Sequence, residues 1–92
     1  MRVVVSYDIS DDKRRRMVAK VLEGYGYRVQ YSVFECDLSV EQLKKLRRAL
    51  KPFVKGKELD SVRFYPLPKD AVKKIDVLGN DYARSLGIIS VV

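Results

Sequence analysis

The chain contains no histidine and only one cysteine, Cys36. It also has no apolar run near the ~18 residues that a membrane span needs. Without histidine the commonest general base is gone, so hydrolytic chemistry would have to use carboxylates, a metal, or both. A lone cysteine makes no internal disulfide, and with no histidine or second cysteine it builds no zinc site. The N-terminus lacks the charged-then-apolar layout of an export signal, so we expect a cytoplasmic protein with no membrane partner.

What remains is the composition of a small folded domain that meets a polyanion. A chain of 92 residues buries only about 62% of its unfolded surface, and chains of this size often gain stability by oligomerising. Its 47% hydrophobic and 34% charged content is that of a folded protein, not a disordered one. The net charge of +7 is unevenly placed. Residues 1–12 carry one base and three acids, residues 13–51 eleven bases and four acids, and residues 52–92 seven bases and five acids. The excess sits in the middle segment, as on a nucleic-acid-binding face. The plainer alternative is a pair of well-solvated helices.

The stretch Val3–Arg16 organises the rest. Val3 to Tyr7 is a short β-branched run suited to a central strand covered on both faces. Ser10 is a good N-cap, with Asp11 and Asp12 in the first helical turn, where the dipole favours acids. Arg14, Arg15 and Arg16 then stand near the positive end of that dipole, an order that stability alone would not choose. A carboxylate, a helix N-terminus and an arginine cluster at one strand end suit a phosphodiester.

The spacing predicts helix one from Asp11 to Gly24, with Val18, Val21, Leu22 and Tyr25 inward and Met17 widening the stripe. Gly24 or Gly26 could supply a left-handed C-terminal residue. Tyr27–Gln30 and Ser32–Leu38 read as adjacent short strands. Ser39 and Gln42 form a capping box that opens helix two. Its buried stripe is Leu43, Leu46, Leu50 and Phe53, while Lys44, Lys45, Arg47, Arg48 and Lys51 face outward and Pro52 stops it. Asp60–Leu67 reads as a further strand and Val72–Leu78 as a fifth. The order is that of an α+β, ferredoxin-like βαββαβ sandwich: an antiparallel sheet, both helices on one face, and an extra C-terminal strand. We expect one domain over residues 1–79 and a docked tail over 80–92. Val4 and Ser6 leave the face away from the helices only weakly polar, which suits a second copy packed sheet to sheet.

Val-Ser-Tyr-Asp-Ile at 5–9, Asp-Lys-Arg-Arg-Arg at 12–16 and Tyr-Arg-Val-Gln-Tyr-Ser-Val-Phe-Glu-Cys-Asp-Leu at 27–38 resemble the CRISPR-associated protein 2 family. Arg63–Leu67 and Val77–Gly79 match its later strands, so the likeness spans roughly residues 2–79. The resemblance implies a homodimer in which the C-terminal strand packs against the other protomer's sheet. It also implies a place in spacer acquisition beside the CRISPR-associated integrase, protein 1. Members are described as magnesium-dependent endonucleases on RNA or double-stranded DNA, others as bridges with no required activity. What it implies here is a metal ligand at Asp8, magnesium (or manganese) as cofactor, and catalytic roles for Asp8, Tyr7, Arg15 and Arg28. Arg14 or Arg16 joins Arg15 among the helix-one arginines, and Phe34 is a further functional position. Ser10 falls where the family varies.

One carboxylate per chain is too few for a tight magnesium site, which keeps several waters and leans on substrate phosphates. Two copies of Asp8 near a dimer axis would supply a pair. The structural alternative for Asp8 is a turn residue bonded to the following amides. Arg14, Arg15, Arg16, Arg28, Lys44, Arg47 and Arg48 are the nucleic-acid-binding candidates. Phe34 and Tyr31 could stack on a base, although an aromatic on a half-buried strand is more often core. Glu35 and Asp37 share a strand face and read as metal ligands, an edge pair or anchors for the integrase. Two functions from different classes follow: a metal-dependent endonuclease, and a non-catalytic DNA-binding adaptor bridging two integrase dimers. A regulatory or toxin-type relative of the same fold would need no integrase.

Overall fold

Strand β1 (Arg2–Asp8) alternates strictly, sending Val3, Val5 and Tyr7 to one face of the sheet and Val4, Ser6 and Asp8 to the other. In the computed structural model, which describes residues 1–81, β1 is a central strand. It pairs antiparallel with β3 (Val33–Asp37) on one edge and β4 (Ser61–Leu67) on the other. Strand β2 (Tyr27–Gln30) completes the order β2-β3-β1-β4, pairing antiparallel with β3 through an irregularity between Arg28 and Gln30. Pro66 falls within β4, an edge strand whose outer side needs no ladder donor.

Helices α1 (Asp12–Glu23) and α2 (Val40–Leu50) cover the Val3–Val5–Tyr7 face. Val18, Ala19 and Leu22 from α1, Leu46 and Leu50 from α2, and Phe34 and Cys36 from β3 join it in one core. Burial pushes the Cys36 thiol up to about 11, so it behaves as a small hydrophobe. The expectation of a strand covered on both faces is corrected. Both helices lie on one side, and Val4 and Ser6 are only half-buried on the other. The βαββαβ order, the antiparallel sheet and the shared helix face are as expected.

Three local readings change. Asp11, not Ser10, caps α1: its side chain accepts the Arg14 amide at 2.9 Å. Ser10 is taken by a partner 50 residues away, Asp60. Neither Gly24 nor Gly26 is left-handed. Gly26 is required by proximity, since a Cβ there would lie 2.5 Å from Cys36 Sγ and 2.9 Å from its Cα. The fifth strand over Val72–Leu78 is not formed. After Pro68 a short helix, α3 (Lys69–Lys73), takes its first residues. The run does not alternate, and Asp70 lies in that helix's first turn, where an acid is favourable.

The capping box of α2 is present, with Gln42 N to Ser39 Oγ at 3.1 Å and Ser39 N to Gln42 Oε1 at 2.8 Å. Pro52 converts the end of the helix into a 3₁₀ turn over Lys51–Phe53. Among the described residues no helix is long and apolar enough to cross a membrane. The expected docked tail lies, from residue 82 on, outside the described residues.

Candidate active site

Strand β1 stops at Asp8, opposite Ser61 of β4. Its side chain leaves on the open face, is exposed, and has no hydrogen bond or ion pair among the described residues. A turn aspartate would bond the following amides, and Asp8 does not. Tyr7 points the other way, into the core. Its hydroxyl donates to the Tyr31 carbonyl at 3.2 Å, and burial raises its phenol above the ordinary value, which keeps it protonated.

Arg15 and Arg28 both lie near the Tyr7 phenol, whereas Asp8 leaves on the opposite face of the sheet. Arg15 Nη1 donates to the Ile9 carbonyl at 3.1 Å and Nη2 pairs with Asp12. The Arg28 guanidinium lies 5.3 Å from the Phe34 ring centroid and 5.9 Å from that of Tyr31. Both cations act on the Tyr7 phenol against its burial. Arg16 is exposed with no partner among the described residues. Arg14 is engaged differently from the phosphate contact expected of it. Its Nη2 donates to Glu58 at 2.6 Å and to Asp60 at 2.7 Å, and only 15% of the side chain is exposed. Phe34 is likewise placed away from a base-stacking position: it is wholly buried, its ring 6.3 Å from that of Tyr7, and the accessible aromatic is Tyr31.

In the sequence Asp60 only opens a strand. It is the buried polar hub of this corner. Oδ1 accepts Ser10 N at 3.0 Å and Ser10 Oγ at 3.2 Å; Oδ2 accepts Arg14 Nη2 at 2.7 Å and Lys55 N at 3.0 Å. These donors, the Ser10 amide foremost, hold its carboxyl far below 3.8 although burial opposes them. The turn that delivers it places Leu59 in the left-handed region at φ 64°, a conformation that costs a β-carbon residue about 1 kcal/mol. No local pattern marks Asp60, because its donors lie far along the chain. An acid just after a Lys-Gly-Lys-Glu loop is its only local mark.

Glu35 and Asp37 are held by Arg2, each at 2.8 Å, with the guanidinium 5.9 Å from the Tyr27 ring centroid. Lys44, Arg47 and Arg48 stand exposed on the outer side of α2, on the helix layer, whereas Asp8 faces the open side of the sheet. Arg47 also borders a groove of about 230 Å³ between α2 and β4, with Leu50, Lys51, Val54, Val62 and Phe64. Among the described residues no three acids, cysteines or histidines come together to hold a metal.

The family model for CRISPR associated protein Cas2 matches residues 1–75. A CRISPR-associated endoribonuclease Cas2 of Synechocystis sp. is 49% identical over 76 residues, which is 83% of this chain and 82% of that protein. The crystal structure of Streptococcus pyogenes Cas2 superposes with a TM-score of 0.74 at 37% identity, over 86% of this chain and 100% of that one. A chain in a partial Cas6-RT-Cas1–Cas2 complex superposes at 0.72 and 31% identity, over 89% and 90%.

Proposed function

Because the chain belongs to the CRISPR-associated Cas2 family, we propose that it is a cytoplasmic, metal-dependent endonuclease that hydrolyses RNA phosphodiesters as a homodimer in CRISPR spacer acquisition. One observation carries this reading: Asp8 is an exposed carboxylate with no side-chain partner among the described residues, at a strand end where Arg15 donates to the Ile9 carbonyl. An acid left without a partner costs the fold nothing to keep and is available to a cation. The name endoribonuclease on the Synechocystis relative supports the substrate class.

The donor set fits magnesium, or manganese, only as a shared site. Asp8 from each of two chains would supply two carboxylates, with water and substrate phosphate completing the oxygen ligands. When bound, the ion supplies Lewis-acid stabilisation of a phosphoryl oxygen. The chain's own residues do the rest. Arg16, exposed and without a partner among the described residues, would grip a phosphate, Arg15 and Arg28 would offset charge, and protonated Tyr7 holds the Tyr31 carbonyl in place. The open sheet face, with Val4 half-buried and Tyr65 45% exposed, is the surface a second copy would cover.

A cleavage assay on single-stranded RNA and duplex DNA, with and without magnesium, tests this. Asp8→Asn should lower metal-dependent cleavage by at least about 100-fold with an unchanged thermal midpoint. Cleavage by Asp8→Asn at the unaltered rate would remove Asp8 from the chemistry.

The superposition on a chain of a Cas1–Cas2 complex favours a second reading, a DNA-holding adaptor between integrase dimers. There the exposed cations of α2 would lie along the duplex. Copurification with the integrase, undiminished in Asp8→Asn, supports the adaptor role; failure to copurify removes it.

A further inference from the structure

Among the described residues Asp8 has no side-chain partner, and within them its direction is set by its backbone. That backbone is bracketed by one segment of chain. Ser61 pairs with Asp8 in the sheet, and Asp60, the residue before it, holds Ser10 by both its amide and its hydroxyl. Through its other oxygen the same carboxylate holds Arg14, in the first turn of α1, and the loop amide of Lys55. Asp60 therefore joins the strand end that bears Asp8 to the helix turn that bears Arg15 and Arg16. Ile9 is anchored separately, by the core and by Arg15, so what Asp60 controls is the exit of the chain at Ser10 relative to α1.

We propose that Asp60 is a positioning residue, which fixes the placement of Asp8 relative to the arginines of α1 and so tunes the metal affinity of the site. This rests on the reading of Asp8 as the metal-bearing carboxylate. All four partners of Asp60 act as donors. An asparagine has the same shape but turns one acceptor into a donor, and no rotation of its amide satisfies every partner. The groups that orient a metal-bearing residue commonly change metal affinity by about 10-fold or more when lost.

Manganese titration followed by water-proton relaxation, together with the metal dependence of RNA cleavage, tests the assignment. Asp60→Asn should weaken manganese binding about 10-fold and raise the half-saturating metal concentration equally, with cleavage recovered at high metal. Asp8→Asn should lose manganese binding. If Asp60→Asn only lowers the thermal midpoint, with manganese affinity and half-saturation unchanged, its role is structural and the proposal falls. If Asp8→Asn binds manganese like the unaltered protein, the reading of Asp8 falls, and the proposal with it. Should Asp60→Asn fail to fold, Ser10→Ala removes one of the four bonds. It should shift manganese affinity about 2-fold in the same direction, and no shift overturns the proposal.

Discussion

Strand β1 is charged at both ends, and the fold treats the ends oppositely. At its start the Arg2 side chain is 11% exposed, hydrogen-bonded to Glu35 and Asp37 and lying over Tyr27. At its finish Asp8 stands in solvent with no partner among the described residues. In space the same contrast recurs within one corner, where Asp60 has four donors and Asp8 none among the described residues. A charge that serves the fold is closed by partners, because a buried ion without them is costly. A charge that serves a ligand is left open.

If that division holds, changing the closed end should cost stability and spare function. Arg2→Ala leaves Glu35, with a side chain only 14% exposed, without its cation. It should lower unfolding stability by about 2 kcal/mol, the scale of hydrogen bonds to charged groups. Cleavage per folded protein should stay at the unaltered level. Denaturant unfolding read beside the RNA assay decides it; loss of cleavage in folded Arg2→Ala would erase the distinction between the ends.

Acid sharpens the contrast at the other end. The carboxyl of Asp60 is depressed in the folded chain, so its contribution is complete above its unfolded value of 3.8. That contribution fades as pH falls through the lower folded value. Thermal midpoints should therefore be insensitive to this group from pH 8 to about 5 and fall below about pH 4. The acid fall should be shallower in Asp60→Asn. Equal acid slopes in the two proteins would show that Asp60 carries no linkage.

Most of the scaffold was legible because its signals are local. The β-branched run Val3–Tyr7, the Ser39–Gln42 box and the leucine spacing of α2 each act within a few residues. The readings that changed are those decided at a distance. Ser10 has the chemistry of a cap, but Asp60 claims its hydroxyl, so the cap moves to Asp11. Arg14 looks equivalent to Arg15 and Arg16 until Glu58 and Asp60 fold against it. Val72–Leu78 is apolar enough for a strand, yet Pro68 and Asp70 start a helix before it. Within the site, Asp8 at the exposed end of β1 follows from the strand pattern, whereas Asp60 depends on four donors no local pattern could supply.

The arginine run offers the smallest test, because three adjacent and chemically identical residues have different surroundings. Arg14 is committed to two acids, Arg15 to Asp12 and the Ile9 carbonyl, and Arg16 to nothing among the described residues. An arginine that meets phosphate releases about one counterion on binding, so its loss lowers the salt slope by about one. Arg16→Ala should weaken RNA binding about threefold near physiological salt and reduce that slope by about one, with the unfolding midpoint unchanged. Arg14→Ala should do the reverse, lowering the unfolding midpoint and leaving the slope as it was. If both variants change the slope equally, the ion pairs of Arg14 open when RNA arrives, and its closure is a property of the free protein alone.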